Sequence, residues 1–115
     1  MNTKQIGDSG EAYAAAILAQ KGYEIIEKNF RYKRSEIDLI CLKNNLLVFV
    51  EVKTLSHQKF QFPEEQVNEH KIKMILEGAD AYIHAINWAK DIRFDIFSID
   101  LSSPEKYLHI EDAFY

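Results

Sequence analysis

The 115 residues, 47% of them hydrophobic, are enough for one domain with a real core, spanning residues 1–115, and leave little room for a second. A formal charge of -4 argues against a protein that coats nucleic acid indiscriminately, because such binding needs many Lys and Arg contacts to displace phosphate counterions. The opening MNTKQIGDSGE lacks the apolar stretch of a signal peptide, and no later segment is long and uncharged enough to span a bilayer, so a soluble cytoplasmic protein is expected.

The Ala-rich segment from Gly10 to Gln20 follows Asp8 and Ser9, both good helix caps, and Gly22 stands where helices commonly stop. A helix is expected there, with an apolar stripe of Ala12, Ala15, Ala16, Leu18 and Ala19. Residues 23–32 read as extended. Two clearer strands follow, EIDLICLK at 36–43 and LLVFVEVK at 46–53, joined by Asn44-Asn45 in a tight hairpin turn. Both faces of this hairpin are largely apolar, which places it centrally with layers on both sides. The single cysteine, Cys41, lies inside the first of these runs. It excludes an internal disulfide and a cysteine metal cluster, and reads as a buried small hydrophobe.

Pro63 with Glu64 and Glu65 marks a helix start, and Ile72, Ile75, Leu76, Ala79, Ile83 and Ile86 recur at helical spacing, with a bend expected near Gly78. RFDIFSIDL at 93–101 is one more strand, followed by a short C-terminal segment of unassigned type. The order αβββαβ predicts an α/β fold: a three-layer α/β/α sandwich around a mixed four-stranded sheet, order 1-2-3-4, with strand 2 antiparallel.

A hairpin closing on Asn44-Asn45 pairs residues whose numbers sum to 89, so Asp38 faces Glu51 and Glu36 faces Lys53. The period of two puts all four on one face, at the end away from the turn. Two opposed carboxylates in a covered hairpin repel and lose hydration, so positive charge is expected beside them. Lys53 supplies part of it, and a hard divalent cation would supply more. Exposed strand ends carrying surface ion pairs are the plainer reading, and from pattern alone both stay open.

Asp38 followed by Glu51-Val52-Lys53 resembles the PD-(D/E)XK nuclease motif. Gly10-Glu11, SEIDLI at 35–40, LVFVEVKT at 47–54, the 63–71 region and RFDIFSI at 93–99 together resemble the bacterial YraN-like family, over nearly the whole chain. That resemblance implies a restriction-endonuclease-like core similar to archaeal Holliday junction resolvases. It also implies Mg²⁺ or Mn²⁺ held by Glu11, Asp38, Glu51 and the Val52 backbone carbonyl, with Lys53 as the catalytic lysine. Ser35 departs from a usual glycine, which adjusts a turn, and Leu55 replaces a usual arginine, which takes away a candidate phosphate contact. Without the resemblance, Glu11 reads as an acid suited to a helix's first turn.

Arg31, Lys33 and Arg34 form a basic edge, and Lys71 lies early in the second helix; each could reach phosphates, although solvated faces explain such lysines and arginines equally well. Gln66 could contact the site, and the four histidines show no ligand spacing. The leading expectation is a metal-dependent endonuclease acting on DNA, with branched or structured DNA favoured by analogy. Its rivals are a nucleic-acid-binding module that keeps the fold but cuts little, and a structural or assembly protein. Cutting two strands would call for a symmetric homodimer, although no residue pattern marks its surface.

Overall fold

The computed structural model describes residues 3–55, 68–103 and 105–114. Its first helix, α1, spans Thr3–Gln20. The helix therefore begins before Asp8 and Ser9, which lie within it rather than capping it: a capping preference is a weak prior that tertiary packing overrides. The packing is visible at Gly10, which is buried against Thr54, since a Cβ there would collide with the Thr54 hydroxyl. The buried stripe is also rotated from the expected one, to Ala14, Ala15 and Leu18, with Ile17 packed alongside. Gly22 ends the helix as anticipated. At φ +95° it takes the left-handed conformation, and Tyr23 N–H donates to the Leu18 carbonyl at 3.0 Å and Gly22 N–H to Ala19 at 3.1 Å.

Strands β1 (Glu24–Tyr32), β2 (Ser35–Lys43) and β3 (Leu46–Leu55) form an antiparallel run. Helix α2 (Glu69–Ile86) then leads to β4 (Asp91–Asp100), which pairs parallel to β3. Asn68 caps α2 by accepting from Lys71 N–H at 2.9 Å, and Asn87, at φ 55°, closes its other end. The start expected at Pro63 lies outside the described residues. Gly78 makes a close approach instead of a bend: a Cβ there would stand 3.1 Å from the Ser35 side chain, inside a continuous helix.

The sheet has five strands in the order β1-β2-β3-β4-β5, correcting the expected four. The added member is the C-terminal segment β5 (Tyr107–Ile110), antiparallel to β4 on the edge. Only four residues long and half exposed, it lacks the alternation by which a strand is recognised. The remaining order and directions agree with the prediction. Leu39, Cys41, Val48, Val50, Phe97 and Ile99 pack with α1 on one face, and Ile40, Leu47, Phe49 and Phe94 pack with α2 on the other, which makes the α/β/α layers. Cys41 is fully buried, and burial pushes its thiol up to about 12. Among the described residues no helix is long and apolar enough to cross a membrane.

Candidate functional site

The β2–β3 register is the expected one, with Lys43 opposite Leu46 and Ile40 opposite Phe49, but the ladder ends at Leu39–Val50. One step further, the Asp38 carboxylate accepts from the Val52 backbone N–H at 2.8 Å. A side chain thus takes the place of a ladder partner, and the two central strands part. On the other edge of β2 the β1 ladder skips the Asn29–Asp38 position, where Asn29 adopts φ 52°. This left-handed residue interrupts the pleat, and the alternation of faces resets: Ile37 and Ile40, of opposite parity, both join the α2-side core.

Because of that reset, Asp38 lies in the gap between the strands and meets groups from both layers. Its carboxyl lies close enough to Glu51 to be shifted by it, one step beyond the last paired residues of the ladder. Burial, and then the Glu51 side chain, push Asp38 up to about 8, against the opposing pull of the Val52 N–H. Glu51 is 6% exposed, and its Oε2 has no hydrogen-bond partner among the described residues. Lys53 follows on the same strand, and burial together with a neighbouring Lys71 lowers its pKa.

The reset also overturns one expectation. Glu36 does not face Lys53; it pairs with Arg31 at 3.1 Å, which it also opposes in the ladder. In the amide orientation that satisfies both acids, Asn29 donates to Glu36 Oε1 at 3.2 Å and to Glu11 Oε1 at 2.8 Å. Glu11, carried in on α1, therefore does join the acidic group. Burial, then Asp38 and Glu36, raise it to about 7.

The site opens into a cavity of about 490 Å³ between the β1–β2 turn and the start of α2, lined by Arg34, Asp38, Glu51, His70 and Lys71 among others. Lys71 Nζ reaches Glu51 Oε1 at 3.4 Å. Of the other basic candidates, Arg31 is engaged with Glu36, and Lys33 lies over the Tyr32 ring at 5.3 Å. Gln66 lies outside the described residues. Ser35, at the start of β2, is buried, and its hydroxyl donates to the Met74 carbonyl at 2.6 Å, which ties this end of the turn to α2.

The donor set of Asp38 and Glu51 suits a hard divalent cation, and the Glu51 oxygen without a partner among the described residues is a candidate ligand for one. Among the described residues no three acid, imidazole or thiol groups are gathered closely enough to enclose an ion. The fit is therefore to an ion that keeps several waters, as Mg²⁺ does.

A second polar cluster lies on the α1 face and was not anticipated. Asp95, 0% exposed, accepts two hydrogen bonds from Arg93 at 2.8 Å, one from Asp112 N–H at 3.1 Å and contacts His109 Nε2 at 2.7 Å. Arg93 also donates to Tyr23 Oη at 2.6 Å and pairs with Glu111 at 3.1 Å. The signal available was Arg93 and Asp95 two apart in an apolar strand, which shares a face but names no partners.

Residues 10–99 match a family described as uncharacterised protein family UPF0102. The chain belongs to the UPF0102 family. A UPF0102 protein from Cytophaga hutchinsonii is 46% identical over 109 residues, covering 95% of each chain. Another, from Caldanaerobacter subterraneus, is 44% identical over 119 residues, covering 99% of this chain and 98% of its own. A third, from Flavobacterium psychrophilum, is 39% identical over 111 residues. This membership agrees with the YraN-like resemblance. Among solved structures, Pyrococcus furiosus SfsA in complex with Ca²⁺ aligns at 14% identity with a TM-score of 0.34, covering 96% of this chain and 64% of that one.

Proposed function

We propose that this protein is a metal-dependent endonuclease that hydrolyses DNA phosphodiester bonds at the gap between β2 and β3, with branched or structured DNA as the favoured substrate. The observation that carries this reading is the Asp38–Glu51 pair: two buried carboxyls close together at the end of the ladder, one raised to about 8 and the other holding an oxygen without a partner among the described residues. A fold tolerates such a pair poorly unless something positive is bound there.

Asp38 and Glu51 would hold Mg²⁺ or Mn²⁺, with Glu11 and the Val52 carbonyl as further ligands reached directly or through water. When bound, the ion supplies Lewis acidity toward an attacking water and neutralises charge that builds on the phosphate. Asp38 gives up its proton on binding and keeps its orientation through the Val52 N–H. Lys53, its proton loosened by burial, stands on the same strand two residues after Glu51 and orients or deprotonates the water. Arg34, on the cavity rim, faces where the DNA backbone would enter.

The test is cleavage of duplex, flap and four-way DNA in Mg²⁺ or Mn²⁺ by the native chain, Asp38→Asn and Glu51→Gln. Metal-dependent product from the native chain alone is expected. Product from both variants would remove the site, and salt-sensitive binding without product would favour the non-cutting module.

A further inference from the structure

Lys71 occupies a position that helix physics disfavours. Asn68 is the N-cap and accepts from the Lys71 N–H, so Lys71 stands in the first turn of α2, where the partial positive charge of the helix end repels a cation. What offsets that cost is across the cavity: Lys71 Nζ lies 3.4 Å from Glu51 Oε1, and the lysine is half-buried on the way. The next lysine on the same helix, Lys73, is exposed.

The contact itself is loose. Charge-assisted N–H···O bonds run at about 2.7–2.9 Å, so 3.4 Å marks an ion pair without a strong hydrogen bond, and Glu51 Oε2 has no partner among the described residues. A lysine is a point charge on a flexible stem, without the planar fork by which an arginine would grip both carboxylate oxygens. Lys53 and Lys71 both stand beside Asp38 and Glu51, and the Asp38 carboxyl is raised to about 8, so Glu51 is the acid that Lys71 holds. Entry of a divalent ion with Lys71 still on Glu51 would place two cations on one carboxylate.

Resting on the nuclease reading above, we infer that Lys71 is a placeholder cation, holding Glu51 while the site lacks a metal and displaced into the cavity when a divalent ion binds. Displacement leaves the gap with excess positive charge and moves an ammonium into the space where a phosphate would lie, so metal entry and capture of the anionic backbone are coupled through one side chain. Lys71 is thus a positioning residue for Glu51 before it can act on substrate.

Calorimetric titration of Mn²⁺ into the full chain without DNA tests this. Lys71→Met and Lys71→Gln should bind Mn²⁺ about fivefold tighter than the native chain, the change expected when a competing ion pair of ordinary strength is removed. Lys71→Arg should bind no tighter than native, and Lys73→Met should match it. Neutral Lys71 variants that bind with unchanged or weaker affinity, while the native chain binds and Glu51→Gln does not, would overturn the placeholder role and leave the nuclease reading intact. Absence of Mn²⁺ binding by the native chain and by both neutral Lys71 variants would overturn the nuclease reading, and this inference with it.

Discussion

Asp95 on β4 and Glu51 on β3 are both buried acids in apolar strands, 0% and 6% exposed, on opposite faces of one sheet. Asp95 is saturated: Arg93, His109 and the Asp112 N–H all meet it, and though burial alone would raise its pKa, the bonds from His109 and Arg93 hold it lowered. Glu51 faces another carboxyl and a loosely held lysine, and among the described residues one of its oxygens is unpaired. Burial is common to both, so it does not mark function. What separates them is whether the fold itself completes the charge. The Asp95 cluster ties β4, β5 and the turn between α1 and β1 together, while on the proposed function the Asp38–Glu51 pair is completed by a bound cation.

The largest effect should come from breaking the completed cluster. Asp95→Ala strands Arg93 and His109, and urea denaturation should show a loss of about 3–5 kcal/mol. The open site should respond in the opposite sense. Glu51→Gln should leave the fold at least as stable while lowering metal-dependent cleavage by about 10²–10³-fold, the worth of several kcal/mol of transition-state stabilisation. A variant that unfolds as readily as Asp95→Ala would erase the distinction.

The two regions also differ in their pH dependence without metal. Asp38, raised to about 8, keeps its proton when folded while the unfolded chain loses it near the ordinary carboxylate value. Its contribution is fully present below about pH 4 and is lost as pH rises through about 8, and Glu11 adds a like loss through about 7. Asp95 runs the other way: lowered when folded, it contributes above the ordinary value and loses that contribution as pH falls through its depressed pKa. Asp38→Asn should therefore flatten the alkaline limb alone, gaining about 1–2 kcal/mol at pH 8 by thermal or chemical unfolding. The smallest effect is at the turn: Ser35→Ala should cost about 1 kcal/mol through the lost bond to Met74 and leave both clusters intact, as their pH limbs would show.

The hairpin was legible because two dense runs of β-formers flank an Asn-Asn turn, and its register, kept as far as Leu39 opposite Val50, points Asp38 toward Glu51. Its end was not legible. The parting of the strands depends on the left-handed Asn29 and on a side chain replacing a ladder bond, and neither follows from alternation. For the same reason Glu36 was matched with Lys53 when Arg31 holds it. The Asp95 cluster escaped because its partners come from β5 and the turn beyond, a four-residue strand whose existence rests on tertiary contact.

On the proposed function, the Asp38–Glu51 pair awaits a cation whose place a proton on Asp38 now takes. Calorimetry of Mn²⁺ binding at pH 7 in buffers of different ionisation enthalpy measures the protons released. The native chain should release at least about one proton per ion, and Asp38→Asn should lose most of that release along with most of the affinity. Binding that neither releases a proton nor depends on Asp38 would contradict the assignment.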